Sequence, residues 1–491
     1  MTRGFRISVW IIAIFPLMGF WLTGLFDLDE GFYSAIVGEM IRRGEWITPY
    51  YNGEPWFEKP ILLYWISKPF VMLFGEVWGP RIPGVLCTLA LAGAIWSFGR
   101  RMFNESAAIW AMLIWSTSLL AVGVGRMMMT DMPLVLCFTL AMLTFYRSLT
   151  DGWRWRVLSA GFLGLSVLAK GPVSCAHFVL IVAIFAGMEP TLRSKFRGGW
   201  LLGTALFLAV VASWYLPCYL ANRDLFVQEF LIKQNIGRFA GGDKAHGVPL
   251  ALTFIYYIPI LLVGMAPWSF SLFRAWPRRG QAEPAVRYVA IWFAVVFLFY
   301  TVSGSKLPHY ILAALPAAAL LIGDWIGRRK PGAEATLSLR SLRFPAGVAL
   351  IVGLVANLGI GWWYQDTHAQ LHSVTRWVRA QGGPVVEYQF SRRSEDRGTG
   401  QLKLMETSHP SIKFYLDRVV PELETLDELA RLRESTWVLT RGDRISAEDL
   451  RRAPELGIRL EPVATPSSPA PQPSQPTGDY VVWRVTPVAG R

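Results

Sequence analysis

Acidic residues are scarce in the apolar two-thirds of this 491-residue chain, so the positions of the few present carry information. Asp27, Asp29 and Glu30 follow the first apolar run, and Glu58 and Lys59 stand together in FEKP. Asp131 lies in MMTDMP, Lys170 in LAKGP, His246 in a later polar stretch, and Lys306, His309 and Tyr310 in SGSKLPHY. Each position falls at the same end of its neighbouring apolar run. Ionisable groups cost several kcal/mol in apolar surroundings unless they are paired or wetted. A cluster of them at one face therefore implies a wet polar cavity, furnished for proton transfer and for holding an anion. Taken singly, each residue also has a plain structural reading. Lys59, Lys170 and Lys306 could snorkel to headgroups, Asp29, Glu30 and Asp131 could cap helices, His246 could be a solvated loop residue, and His177 suits a core.

The elements that must position these residues read as membrane spans. Only 17% of residues are charged and 53% are hydrophobic, against about 25% charged for a soluble chain. The deficit sits in apolar runs long enough to cross a bilayer core of about 30 Å. Eleven runs are legible, at about 7–26, 81–99, 105–123, 132–147, 157–171, 173–188, 200–220, 250–273, 288–303, 310–326 and 344–364. The first resembles a signal sequence but is long and lacks a small-residue cleavage site, so it reads as a retained span. With the N-terminus on the cytoplasmic side, the inner loops carry Arg100/Arg101, Arg147/Arg154/Arg156, Arg193/Lys195/Arg197, Arg274/Arg278/Arg279/Arg287 and Arg328/Arg329/Lys330/Arg340/Arg343. All five are basic, as the positive-inside rule requires. The net charge of +13 is thus spent on orientation, which argues against a nucleic-acid partner. The four cysteines all fall within apolar runs and form neither a disulfide framework nor a CxxC metal motif.

Two outer loops are long, Asp27 to about Gly79 and Asn222 to Pro249. In the first, Glu30–Arg43 places Phe32, Ile36, Val37, Met40 and Ile41 on one helical face, the pattern of a helix lying in the interface plane. Pro60–Phe74 is apolar but interrupted by Lys68 and Pro69, and reads as a second interfacial helix. After residue 364 the pattern changes. Short strand-like runs (Val385–Phe390, Ile412–Leu416, Trp437–Thr440, Tyr480–Val485) alternate with amphipathic helical ones (Leu426–Glu434, Ala447–Arg452). The expected organisation is a membrane domain over 1–364 and a small α/β soluble domain over 365–491, on the periplasmic side by the charge count.

Five stretches in order carry a family resemblance: DLDEGFY at 27–33, GEWITPYYNGEPWFEKP at 44–60, RMMMTDMPL at 126–134, LAKGP at 168–172 and SGSKLPHYILAALP at 303–316. Together they resemble the bacterial aminoarabinose transferases that modify lipid A and, more distantly, the protein O-mannosyltransferases, both of the GT-C class of membrane glycosyltransferases. PSIKFYLDR at 410–418 is similar to that family's soluble-domain pattern. The resemblance implies the GT-C fold, with about 11 transmembrane helices, in the inner membrane of a bacterium. It implies a polyprenyl-phosphate sugar donor, membrane lipids as surroundings, a lipid or protein acceptor, and transfer with inversion. By position, the family's essential first-loop aspartate matches Asp29 and its second aspartate Asp131. Lys59, Lys170 and Lys306 fall where a donor phosphate would need cations. Glu30, Tyr33, His309 and Tyr310 would line the substrate pocket. Glu58, with His246 of the second long loop, matches a pair that resembles a zinc site. Phe32 departs from the family's usual arginine. Two other readings compete: transfer to protein or to another envelope glycan, and, outside enzymes, a lipid or sugar transporter or flippase. Against transport stand the absence of an internal repeat and the gathering of charges at one face.

Overall fold

The computed structural model describes residues 2–237, 250–277, 283–328, 338–390, 392–395, 402–406, 409–472 and 480–488. Helices dominate the first three-quarters. They are α1 (Arg3–Ile14), α2 (Asp29–Arg42), α3 (Leu62–Trp78), α4 (Ile82–Met102), α5 (Glu105–Ser116), α6 (Leu119–Gly125), α7 (Asp131–Asp151), α8 (Arg154–Lys170), α9 (Val173–Met188), α10 (Trp200–Phe226), α11 (Leu250–Thr253), α12 (Tyr257–Gly264), α13 (Ser269–Ala275), α14 (Pro284–Val302), α15 (Leu315–Arg328), α16 (Arg343–Leu354) and α17 (Ile360–Thr367). Among the described residues six helical segments are long and apolar enough to cross a membrane, and up to eight if each of two bent pairs counts as one span. The bent pairs are α5 with α6, at 61°, and α12 with α13, at 104°. The chain is a polytopic α-helical membrane protein.

All eleven apolar runs contain helix, but their ends obey local chemistry. The first run stops early: α1 passes into a short 3₁₀ turn over Phe15–Leu17 and the chain breaks at Gly19, whose φ of 84° only glycine adopts freely. Residues 20–28 are thereby released into the loop that leads to α2. The helix expected at 30–43 forms as α2, yet it does not lie exposed in an interface. Ile36, Val37 and Met40 are buried in the main core, and the other side of the helix is covered by a segment from the C-terminal part.

That C-terminal part begins with α18 (Ala369–Gln381) and continues with α19 (Ser411–Leu416), α20 (Leu426–Ala430) and α21 (Ala447–Arg452). The strands of its five-stranded sheet are β1 (Val385–Tyr388), β2 (Glu422–Leu423), β3 (Thr436–Arg441), β4 (Ile458–Val463) and β5 (Tyr480–Pro487), in the sheet order β2-β1-β3-β5-β4. β1 pairs in parallel with β2 and β3, whereas β5 is antiparallel to β3 and β4. Alternation along the strands builds two layers. Val438 and Trp483 face a core with Leu426 and Leu429, and Leu439 and Val482 face one with Leu371, Val374 and Val378 of α18.

Ile412–Leu416, expected as a strand from its apolar alternation, is the helix α19. Its residues are all buried, which a half-exposed strand would not allow. Ile412 and Leu416, one helical turn apart, join the sheet-side core, and Phe414 and Tyr415 pack on Leu25 and Ala35. Polar contacts complete the docking. The Ser411 N–H and hydroxyl donate to the Asp27 carboxylate at 2.9 and 2.6 Å, the Tyr415 hydroxyl accepts from the Leu25 N–H at 2.9 Å, and Arg42 pairs with Asp417 at 2.9 Å. Burial pushes the Asp27 carboxyl up, but the hydrogen bonds and charge of His409 and the bonds from Ser411 outweigh it and hold the group below the usual carboxylate range.

Candidate active site

Two antiparallel helices bring the first ionisable pair together. Asp131 opens α7 and Lys170 closes α8, so each charge complements the dipole of its own helix end. Gly171, at φ 101°, lets the chain turn directly after Lys170. The Lys170 ammonium donates to both Asp131 oxygens at 2.6 and 2.8 Å and lies 4.7 Å from the centre of the Tyr310 ring. Asp131 is 2% exposed, so this pair is the charge balance of the site floor. His309 Nε2 stands 3.8 Å from Asp131 Oδ2.

Beside the pair opens a cavity of about 560 Å³, lined by Glu58, Lys59, Lys170, Phe230, Phe299, Tyr300, Ser303, Ser305 and Tyr310 among others. Its lining combines charged side chains (Glu58, Lys59, Lys170) with apolar ones (Val173, Ala176, Phe230, Phe299), as an amphiphile with a charged head requires. Lys59 Nζ lies 3.4 Å from Glu58 Oε1. Asp29 sits exposed in the first turn of α2. Burial pushes the Tyr33 and Tyr64 phenols well above their ordinary value, with Asp29 and Glu58 adding to the effect. Both tyrosines are therefore neutral hydroxyls set among carboxylates. Tyr64, which the motifs did not single out, has a buried hydroxyl with no hydrogen-bond partner among the described residues. Its sequence signal is faint: one aromatic in an aromatic-rich stretch.

Two expected site residues are employed elsewhere. Glu30, expected in the substrate pocket, is fully buried and bidentate to Arg81, Nε to Oε1 and Nη2 to Oε2 both at 2.7 Å. It also accepts from the N–H groups of Phe26 at 2.9 Å and Met128 at 3.0 Å. Every lone pair is taken, so Glu30 is scaffold. Lys306, expected at the donor phosphate, is 2% exposed and donates to the carbonyls of Tyr300 and Thr301 at 2.9 and 2.7 Å. It satisfies the open carbonyls at the end of α14. Tyr33 and His309 lie beside the cavity, and Lys59, Lys170 and Tyr310 line it. Of the metal pair, Glu58 lines the cavity with a lysine as its neighbour, and His246 lies outside the described residues. Among the described residues the group arranged to hold a metal is a different one, Asp27, His368 and His409. His177 is a core residue, 4.5 Å in ring separation from Phe299.

With this geometry in hand, the relatives are informative. A family model for dolichyl-phosphate-mannose-protein mannosyltransferase matches residues 58–216. An undecaprenyl phosphate-alpha-4-amino-4-deoxy-L-arabinose arabinosyl transferase of Pectobacterium atrosepticum is 30% identical over 369 residues, covering 72% of this chain and 64% of that protein. The Yersinia pestis protein of the same description is 28% identical, covering 68% of this chain and 61% of that one. The matches thus span somewhat under two-thirds of these relatives' length. The crystal structure of ArnT from Cupriavidus metallidurans bound to undecaprenyl phosphate superposes with a TM-score of 0.77 at 19% identity, covering 99% of this chain and 98% of that one. Its apo form gives a TM-score of 0.71. At that identity the superposition establishes the fold, and the fold it establishes is the GT-C architecture of the aminoarabinose transferase-like proteins that the five motifs resembled.

Proposed function

We propose that this protein is an integral membrane glycosyltransferase that moves a sugar from a polyprenyl-phosphate donor to an envelope acceptor, foremost a lipid of the lipid A type. The observation that carries the reading is the cavity itself, whose lining joins Lys59, Lys170 and Tyr310 to apolar side chains, with the buried Asp131 bonded to Lys170 and Asp29 acting electrostatically on the neighbouring Tyr33. A polyprenyl chain cannot leave the bilayer, so its phosphate must be met at the membrane surface by cations and phenols. The sugar-bearing face would be periplasmic, with the N-terminus cytoplasmic and the α/β region outside.

In this mechanism the acceptor oxygen attacks the anomeric carbon. A new glycosidic bond forms as the bond to the phosphate oxygen breaks, and configuration inverts. The electron pair departs onto the phosphate, where Lys59 and Lys170 stabilise the developing charge. Asp29 removes the proton of a hydroxyl acceptor. With a phosphate acceptor, already ionised, it orients instead. Asp131 holds Lys170 in place and tunes its charge. The zinc-like ion that the family resemblance implies would take Glu58 as one ligand, with His246 outside the described residues, and would supply positive charge toward the donor phosphate. The match to the mannosyltransferase model over 58–216 makes a protein hydroxyl the second acceptor reading.

The test is mass spectrometry of lipid A and of envelope glycans and glycoproteins from a deletion strain, with and without the gene restored. A sugar that disappears on deletion and returns on complementation supports transfer, and the molecule carrying it names the acceptor. An unchanged glycan profile under inducing conditions would return the protein to the transporter class.

Lys170 and Lys306 separate by mutation. Lys170→Met should lower transfer by about 10²-fold or more, the usual loss when a donor to a developing oxyanion is removed. Because it also orphans Asp131, the double variant Asp131→Asn/Lys170→Met should regain thermal stability without regaining transfer. Lys306→Met should cost about 1 kcal/mol through the unsatisfied carbonyls of α14 and leave the KM for the donor unchanged. Steady-state kinetics alongside unfolding midpoints decide both, and a raised donor KM in Lys306→Met would put that lysine back at the phosphate.

A further inference from the structure

Of the chain's six histidines, two converge on one carboxylate, that of Asp27. Asp27 belongs to the loop that leads into α2, His368 follows the last turn of α17, and His409 stands just before α19. Their candidate donor atoms all lie within 4.8 Å of one another. His409 Nδ1 is 3.0 Å and His368 Nε2 3.9 Å from Asp27 Oδ2, and the three side chains are only 13%, 8% and 4% exposed in the order His409, His368, Asp27. Four ligands set tetrahedrally at about 2.0–2.1 Å from a zinc ion are roughly 3.3 Å apart. The edges of 3.0 and 3.9 Å bracket that separation.

The surrounding hydrogen bonds orient the rings as metal ligands need. Thr367 Oγ1 donates to the Trp363 carbonyl at 2.6 Å, so at 2.6 Å it accepts from His368 Nδ1. His368 Nε2 therefore carries no proton, and its lone pair accepts the Asp27 N–H at 3.0 Å, a bond that a metal ion at the node would replace. His409 Nε2 is 2.6 Å from the Tyr480 hydroxyl, an oxygen able to accept a ring N–H once Nδ1 is committed to a metal. Ser411 holds the Asp27 carboxylate through its N–H at 2.9 Å and its hydroxyl at 2.6 Å. Hydroxyl partners on the far ring nitrogens and donors on the ligating carboxylate are the usual supports of a metal site.

We propose that Asp27, His368 and His409 bind one divalent transition metal of the zinc class, which staples the α/β region to the loop that leads into Asp29 and α2. Two imidazoles and one carboxylate select zinc, cobalt or nickel over magnesium and calcium, which prefer all-oxygen sites. A water or the Ser411 hydroxyl completes the fourth position. The ion joins the start of α2, the end of the last apolar span and the first turn of α19, segments up to 382 residues apart in sequence. Its role is to fix where Asp29 stands. None of its three ligands lines the cavity, so the site is separate from Glu58 and bears on transfer only through the placement of Asp29.

The experiment uses the full-length protein in detergent, stripped with a chelator, reloaded with zinc and desalted, with bound metal counted by inductively coupled plasma mass spectrometry and unfolding followed with and without zinc. Wild type and Glu58→Gln/His246→Gln should each retain this zinc and gain thermal stability from it, whereas His368→Gln/His409→Gln should lose both. Cobalt loading of the wild type provides a readout that needs no variant: the intense visible bands of low-coordinate cobalt(II) should appear on addition and vanish with excess zinc. Zinc retained in full by His368→Gln/His409→Gln, or a wild type that binds neither metal, would overturn the proposal and leave the node a hydrogen-bonded clasp.

Discussion

Arg81→Met should cost the protein roughly 3–5 kcal/mol, the loss typical of breaking a buried ion pair from one side. Arg81 and Glu30 are 3% and 0% exposed, and Arg81 is the only cation bonded to that carboxylate among the described residues. Beyond the two bonds to Glu30, the guanidinium donates to the carbonyls of Phe20 at 2.8 Å, Thr23 at 2.9 Å and Gly24 at 2.6 Å. It therefore ties the whole loop between the first span and α2 to the start of α4. Arg81→Lys should fare little better, because a single ammonium cannot serve a carboxylate bidentately and three carbonyls as well. Arg81→Met/Glu30→Met should recover part of the loss, since the stranded charge is gone, but the carbonyls of residues 20–24 remain unpaired. Thermal unfolding of the detergent-solubilised variants measures this directly. An Arg81→Met midpoint equal to that of the wild type would mean that water reaches Glu30 and that α2 is anchored by α19 alone. Because Asp29 precedes Glu30 by one residue, transfer should fall in parallel with stability in this series, and the partial recovery in the double variant should appear in both.

That pair also marks the limit of what the sequence disclosed. Apolar runs marked eleven places that all contain helix, because about twenty apolar residues in a row seldom adopt anything else in a membrane, although among the described residues six segments, or eight with the bent pairs, are long and apolar enough to span. They did not disclose that the first would end at Gly19 or that two would bend. Pro267 lies at the sharper bend, where a missing N–H interrupts the helix, and it was visible. The scarcity of charge picked out Glu58, Lys59, Asp131 and Lys170, and the structure brings these to one cavity wall and its floor. The same argument misplaced Glu30 and Lys306. A charge forced into apolar surroundings can be spent on substrate or on structure, and what decides is a partner that the sequence does not place: Arg81, 51 residues on, or the carbonyls at the end of α14. The Asp27 node was invisible for the same reason in stronger form. His368 and His409 are 341 and 382 residues from Asp27 and meet it only because α19 docks on α2.

Asp29→Asn should leave the fold intact and remove most of the activity. The side chain is exposed at the first turn of α2 and accepts no hydrogen bond among the described residues, so an isosteric amide should barely move the unfolding midpoint. If the acceptor is a hydroxyl, the variant loses a general base, worth about 10²–10⁴-fold in rate, and the loss should fall on kcat with the donor KM little changed, since the phosphate is held by Lys59 and Lys170. If the acceptor is a phosphate, no proton is removed and the loss should be smaller and should fall on acceptor KM, because an amide still positions but no longer organises charge. The split between kcat and acceptor KM thus reports the acceptor's chemistry from a single substitution. Full activity with both constants unchanged would reduce Asp29 to a helix-capping carboxylate and pass the role of base to Asp131, whose tight pairing with Lys170 at 2.6 Å makes it the poorer candidate: to accept a proton it would first have to give up its own counter-ion.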